Sequence, residues 1–285
     1  MDVNSLKKGL KFGLVLLALV TVFESSYAQV SRVKFGKSRI QYKEFNWKFY
    51  FSDNFEVYFY RDGEGIAKNA IEYLEDQFGK ITETIGYPPY SKTRVFLYNS
   101  LADKQQSNVG LKGQDFSVGG QTNFVKSQIE LSYTGNLQTF KDELIFRVSN
   151  LLVEEMLFGG NIAEMFQSSF ATPVPSWFTA GAASFIAKGW NKETDDLTRE
   201  YVANNSNNKF NRLDPQKGVL IGQSIWNYIT IQYGQRSMSN ILNMARIIRN
   251  EETSIARTLG LPYSRFIDDW RAYYGDMNTE LMKSY

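Results

Sequence analysis

The chain has 285 residues, 32 Lys+Arg against 30 Asp+Glu, a formal net charge of +2, and neither histidine nor cysteine. The two absences exclude a Ser-His-Asp triad, an imidazole general base or zinc ligand, disulfides, thiolate nucleophiles and iron–sulfur clusters. Any catalysis would rest on carboxylates, Lys, Tyr, Ser/Thr or an oxygen-ligated metal.

Residues 1–28 read as a cleavable export signal. Lys7, Lys8 and Lys11 make a basic start, Phe12 to Phe23 an apolar run, and Ser26-Tyr27-Ala28 a small-residue cleavage pattern before Gln29. A spanning helix needs about 20 apolar residues, so this run is too short to anchor the chain, and no later stretch approaches that length. No integral membrane span is therefore expected after cleavage. Loss of three Lys and two acidic residues takes the net charge from +2 to +1, which gives no electrostatic reason to expect nucleic acid as a partner. Export without cysteine points to the periplasm or to an outer-membrane association. Aromatic residues make up 15% of the chain and are read first as core and sheet-rim material.

In chain order, residues 29–44 are a basic, polar lead-in. Trp47 to Phe51 and Phe55 to Tyr60, separated by Ser52-Asp53-Asn54, predict a β-hairpin. Ile66, Ala70, Ile71, Leu74, Phe78, Ile81 and Ile85 fall at helical spacing, with Gly86 and Pro88-Pro89 as the stop. Thr93 to Tyr98 is a short strand, and residues 100–116 read as a long polar loop. A second hairpin follows, with arms at 121–126 and 128–133. In its second arm Ile129, Leu131 and Tyr133 alternate with Gln128, Glu130 and Ser132, so one face is dry and one wet. Leu137 to Phe158 is the longest helical stretch, followed by helices near 161–170, 175–188, 194–204, 220–233, 237–249 and 263–280. Strands first and helices second predict an α+β fold, with antiparallel strands and one helix followed by a mainly helical half. The expected boundaries are 45–135 for the strand-rich half and 136–285 for the helical half, packed as one domain.

The catalytic inventory is thin. Adjacent helical residues point about 100° apart, so Glu154-Glu155 cannot converge on one bond and read as a solvated face. Asp195-Asp196, Glu251-Glu252 and Asp268-Asp269 fail on the same geometry. Gly63-Glu64-Gly65 lacks the further glycines or Lys-Ser/Thr of a phosphate cradle and reads as a turn.

One ordered set of motifs stands out: the arm 128–133, the long helix, and then Pro175-Ser-Trp-Phe-Thr-Ala-Gly-Ala-Ala-Ser-Phe185. It resembles the core of gluzincin-type zinc peptidases of the peptidase MA-like group. In that family the long helix carries His-Glu-x-x-His and the next helix Trp-Phe-x-Glu-Gly-x-Ala-x-Tyr. The frame is kept here, but Ala180 stands at the ligand glutamate and Phe146-Arg147-x-x-Asn150 at the histidine motif. The resemblance therefore implies a degenerate site without metal, cofactor or catalysis. Val33 to Tyr42, Phe45-x-Trp47, Lys104 to Asn108 and Val118-Gly119-Gly120 also resemble exported proteins of the Bacteroidota, in which such a domain precedes a Tol-type β-propeller. No propeller follows Tyr285, so the resemblance implies a stand-alone relative or an N-terminal piece.

These readings lead to a non-catalytic binding or scaffold domain of the bacterial envelope with a protein partner, associated through its family with outer-membrane secretion or gliding. Gln128, Ile129, Glu130, Leu131, Ser132 and Tyr133 would offer a strand edge to an extended peptide. Phe146, Asn150 and Trp177 would either floor that groove or pack as core. A second hypothesis is a carboxylate-based glycosidase acting on envelope glycans, which requires two carboxyl groups roughly 5–10 Å apart. A third, zinc peptidase activity from carboxylate ligands alone, runs against zinc's preference for nitrogen and sulfur. The sequence does not fix the oligomeric state.

Overall fold

The computed structural model describes residues 43–107, 128–158, 174–205, 210 and 213–283, with side chains as far as Gly275. These residues belong to one compact unit, Ile40–Tyr285. The expected export signal, most of the lead-in, the expected first arm of a second hairpin and the expected helix at 161–170 lie outside the described residues.

The fold is α+β. A four-stranded sheet in the order β1 (Lys48–Phe51), β2 (Phe55–Phe59), β3 (Thr93–Tyr98), β4 (Gln128–Ser132) is followed by a mainly helical half. The hairpin expected around Ser52-Asp53-Asn54 is present, with β1 and β2 antiparallel and Ser52 N–H donating to the Phe55 carbonyl at 2.9 Å. Expecting only antiparallel pairing was incorrect: β2–β3 and β3–β4 are parallel. The reason is the connection. Helix α1 (Glu64–Ile85) lies between β2 and β3, and a helical crossover returns the chain in the same direction.

Side-chain alternation divides the sheet into two faces. Phe55, Val57 and Phe59 of β2, Val95 and Leu97 of β3, and Ile129 and Leu131 of β4 are buried together with Ala67, Ala70, Ile71 and Leu74 of α1. The other face carries Phe49, Phe51, Glu56, Tyr58, Arg94, Phe96 and Glu130. Glu75 of α1 fixes the hairpin turn, because its carboxylate accepts from Asn54 N–H and Nδ2, each at 2.8 Å. Burial pushes this carboxyl's pKa up, but bonds from Ser52 and Asn54 and the nearby Lys92 charge prevail and hold it low. The helix ends at Gly86, whose φ of +78° is left-handed and suits glycine.

Two helices break the expected pattern. Within the stretch read as loop, α2 spans Leu101–Gln105, capped by Ser100, whose Oγ accepts from Asp103 N–H at 3.1 Å. After the long helix α3 (Leu137–Phe158) come α4 (Ser176–Lys188), α5 (Lys192–Asn204), α6 (Pro215–Tyr233) and α7 (Arg236–Ile248). Then α8 (Glu251–Leu259) appears where no helix was expected, and α9 (Tyr263–Lys283) follows. Helix α8 is capped by Asn250, begins with Glu251 and Glu252 and stops at Gly260. Helix α3 packs on α1, α4, α7 and β4, so one hydrophobic core runs from the sheet through the helices to Trp270 and Tyr274. Among the described residues no helix is long and apolar enough to cross a membrane.

Candidate functional site

The residues singled out by the resemblance lie on α3 and α4, which pack directly against each other. On α3, Phe146, Asn150 and Glu154 follow one another at i, i+4 and share a half-buried stripe. Asn150 Nδ2 donates to Glu154 Oε1 at 2.9 Å. That bond orients the amide and leaves Oδ1 buried without a hydrogen-bond partner. Arg147 is exposed and turned away, paired with Glu143 at 2.7 Å, and its guanidinium lies 5.9 Å from the Phe146 ring centroid. Phe146 is therefore a half-exposed ring beneath a surface ion pair. Ala180 on α4 is also half-buried.

The Trp177–Phe185 segment faces another helix. Gly181 touches Gly222 of α6 backbone to backbone: a Cβ on Gly222 would lie 1.8 Å from the Trp177 carbonyl oxygen, and one on Gly181 would lie 2.6 Å from Gly222 Cα. Trp226 Nε1 donates to the Phe178 carbonyl at 2.9 Å, and Ser184 Oγ donates to Gln223 Oε1 at 2.9 Å. The role of Trp177 as groove floor needs correction. It is 2% exposed and packs edge-on against Phe178 and Phe210, because its place in the first turn of α4 directs it into the core. Thus Trp177, Phe178, Gly181 and Ser184 have a packing explanation that requires no ligand.

Strand β4 has the alternation expected from its sequence, with Ile129 and Leu131 buried and Gln128, Glu130 and Ser132 half-buried. Tyr133 packs edge-on against Phe140, and its N–H donates to the Tyr98 carbonyl of β3 at 2.9 Å. Because backbone groups alternate sides, Leu131 and Ile129 also face β3, whereas Glu130 and Ser132 turn toward the opposite edge. One group on that edge is already engaged: Lys104 Nζ of α2 donates to the Glu130 carbonyl at 3.2 Å. Reading 100–116 as loop concealed this clamp, although Ser100-x-x-Asp103 is a helix-start signal.

Helix α2 is pinned to the sheet. Asp103 accepts from Lys43 Nζ at 2.7 Å and from Tyr60 OH at 2.6 Å, while Tyr60 OH accepts from Asn99 N–H at 2.8 Å. Burial pushes the Asp103 pKa upward, but the bonds from Lys43 and Tyr60 outweigh it and the carboxyl sits below its ordinary range. Burial, and then the bond to Asp103, raise the Tyr60 phenol well above its ordinary value.

The carboxylate pair Glu154-Glu155 is not a solvated face. Glu155 is buried and Glu154 is half-buried against Asn150, because α3 is wrapped by α1, α4 and α7 rather than surface-laid. Glu251 is likewise buried. Among the described residues no group of three or more His, Cys, Asp or Glu side chains is placed to hold a metal ion. Comparison with known proteins finds no family model, curated protein or solved structure that matches this chain.

Proposed function

We propose that the chain is a non-catalytic binding or scaffold domain of the bacterial cell envelope, built on the frame of a zinc peptidase whose ligand positions have been replaced. One observation carries this reading: the side chains on the paired helices α3 and α4. Phe146 and Ala180 have no donor atom for a metal, Arg147 brings a positive charge already paired with Glu143, and the Asn150 amide is held by Glu154. Zinc catalysis requires nitrogen, sulfur or carboxylate ligands around an open position. The export pattern at residues 1–28 supports the envelope address, and service to outer-membrane secretion or gliding machinery belongs to the same proposal.

The partner would be an extended polypeptide added beside β4, engaging the edge toward which Ser132 turns its backbone groups. A capture experiment from envelope extract tests this by comparing the native chain with Ser132→Pro. The substitution removes an edge N–H and leaves the Tyr133–Tyr98 bond in place. Circular dichroism must show both proteins folded. A partner held by the native chain and lost with the variant supports the proposal, whereas equal capture places the binding surface elsewhere. Peptide hydrolysis by the purified protein supplied with zinc would refute the non-catalytic assignment.

A further inference from the structure

The opposite end of the sheet is unusual among the described residues. All four side chains of β1 are exposed, and Phe49, Tyr50 and Phe51 are 53%, 37% and 73% exposed. Edge strands of soluble proteins normally carry charge or proline at such positions, because an apolar edge recruits another strand. Here the edge continues an aromatic row across the sheet surface. Phe96 stacks on Tyr58 at 4.6 Å and Tyr58 on Phe49 at 5.4 Å, in step with the register Phe49↔Tyr58↔Phe96. Stacked rings standing on a sheet present edges to solvent, which suits a further ring in the row better than the flat face of a sugar.

Backbone accounting selects the occupant and its register. Ser52 N–H donates to the Phe55 carbonyl, so alternation turns Tyr50 and Lys48 toward β2 and the N–H and C=O groups of Phe49 and Phe51 outward. Trp47 N–H is already used by the Phe45 carbonyl at 3.0 Å. The usable edge is therefore Phe49 to Phe51. An antiparallel copy of the same strand satisfies all four of these groups when Phe49 lies opposite Phe51 of the second copy and Tyr50 sits on the two-fold axis. This register also places each Phe49 beside a Phe51, extending the row Phe96–Tyr58–Phe49 across the axis. It sets Lys48 opposite Ser52 of the second copy, next to that copy's Asp53, an opposite charge that offsets Lys92, whose Nζ holds the Ser52 carbonyl at 2.6 Å. A register centred on Phe49 would pair Phe51 with the occupied Trp47.

We propose that β1 is a homodimer interface, joining two copies of the chain through an antiparallel Phe49–Phe51 pairing into one continuous eight-stranded sheet. The surface is distinct from β4 and does not depend on the functional proposal above. One short strand from each copy makes a small interface, so the dimer should dissociate in the range of about 1–100 μM.

The absence of cysteine from the chain makes the register testable. In an antiparallel pair the two residues at position 50 would have Cα atoms about 4.5 Å apart, within disulfide reach, whereas the two at position 49 would be roughly 9 Å apart and beyond it. Under mild oxidation Tyr50→Cys should give a covalent dimer, and Phe49→Cys should not. Sedimentation equilibrium of the unmodified protein should show reversible dimerisation, weakened about tenfold or more by Phe51→Lys and kept by Phe51→Tyr. Circular dichroism confirms folding in each case, since Phe51 is too exposed for its replacement to unfold the sheet. A monomer at all concentrations up to about 100 μM, equal cross-linking at 49 and 50, or a dimer indifferent to Phe51→Lys would each overturn the proposal.

Discussion

Gly181 and Gly222 show how closely single residues constrain this molecule. Helices α4 and α6 cross with the two Cα positions in contact, and any Cβ on Gly222 would have to enter the Trp177 carbonyl oxygen. Backbone atoms in packed helices cannot turn aside as a side-chain tip can, so the helices must separate and the Trp226–Phe178 and Ser184–Gln223 bonds must stretch. Gly222→Ala should therefore destabilise the protein by about 3 kcal/mol or more, despite alanine's better helix propensity. Gly218→Ala is the control, because a Cβ there would meet only Trp177 Cβ at an ordinary 3.7 Å. Urea denaturation of the two variants should differ widely in midpoint, and similar midpoints would refute the close crossing.

A second residue-scale prediction concerns acid. Asp103 has its pKa held below the ordinary carboxylate range by Lys43 and Tyr60 against the upward pull of burial. Its contribution is therefore complete above the unfolded value of about 4 and is lost as pH falls through the lower folded value. Lys43 is 43% exposed, so water screens that pair and most of the effect belongs to the Tyr60 bond. Asp103→Asn should cost about 1–2 kcal/mol at pH 7 and progressively less as pH falls through the lowered folded value, so the two stability-against-pH curves should converge in acid. Parallel curves would place the carboxylate's role elsewhere.

At the scale of elements, the stripe Phe146–Asn150–Glu154 separates the two roles weighed for Phe146, groove floor and core. A filled core would make Phe146→Asp unfold the protein, because an unpaired carboxylate would lose its water. Phe146 is half-buried rather than buried, so the new carboxylate can reach solvent. We expect Phe146→Asp to remain folded at a cost of about 1–2 kcal/mol, whereas Leu144→Asp, one turn away from solvent at 0% exposure, should not yield folded protein. Thermal denaturation followed by circular dichroism distinguishes the cases, and an unfolded Phe146→Asp would mean that this stripe is closed core.

The same elements show what the sequence could and could not reveal. The first hairpin was legible because two aromatic runs flank a Ser-Asp-Asn turn, and α1 because its apolar residues keep a helical period to Gly86. Helix α8 was missed although Asn250, two glutamates and Gly260 punctuate it, because nine residues with few apolar positions leave little periodicity to detect. The parallel order β2–β3–β4 was hidden because strand pairing is a non-local choice. The burial of Trp177 depends on α6, some forty residues downstream, and no local pattern around the Trp-Phe motif announces that partner. Composition spoke most directly about chemistry, since a chain without histidine cannot hold a His-Glu-x-x-His motif in any register.

For the whole molecule, the continuity of the core decides how it should unfold. The sheet half and the helical half share one cluster of buried residues, from Phe55 and Val57 through Leu144 and Val148 of α3 to Trp226 and Trp270. Arg249, at the end of α7, further ties that helix to α3 by donating to the Leu157 carbonyl. Neither half keeps a closed apolar surface if the other leaves, because α3 supplies packing for α1 and β4 on one side and for α4 on the other. Independent unfolding would expose that shared surface at about 25 cal/mol per Å², a larger cost than the loops joining the halves can offset in entropy. The protein should therefore unfold in one cooperative transition. The tryptophans offer a direct check, since Trp47 sits among Phe45, Tyr60 and Phe96 on the sheet while Trp177, Trp226 and Trp270 lie buried among the helices. Replacing Trp47 by Phe in one variant, and Trp177, Trp190, Trp226 and Trp270 by Phe in another, lets fluorescence follow each half alone. In the Trp47→Phe protein, urea midpoints by fluorescence and by far-ultraviolet circular dichroism should coincide and define the transition of the helical half. In the quadruple variant the midpoint should shift lower as a whole, with the Trp47 signal still tracking helix loss. A Trp47 transition that separated from helix loss would instead assign the sheet its own stability and make α3 a linker between two cores.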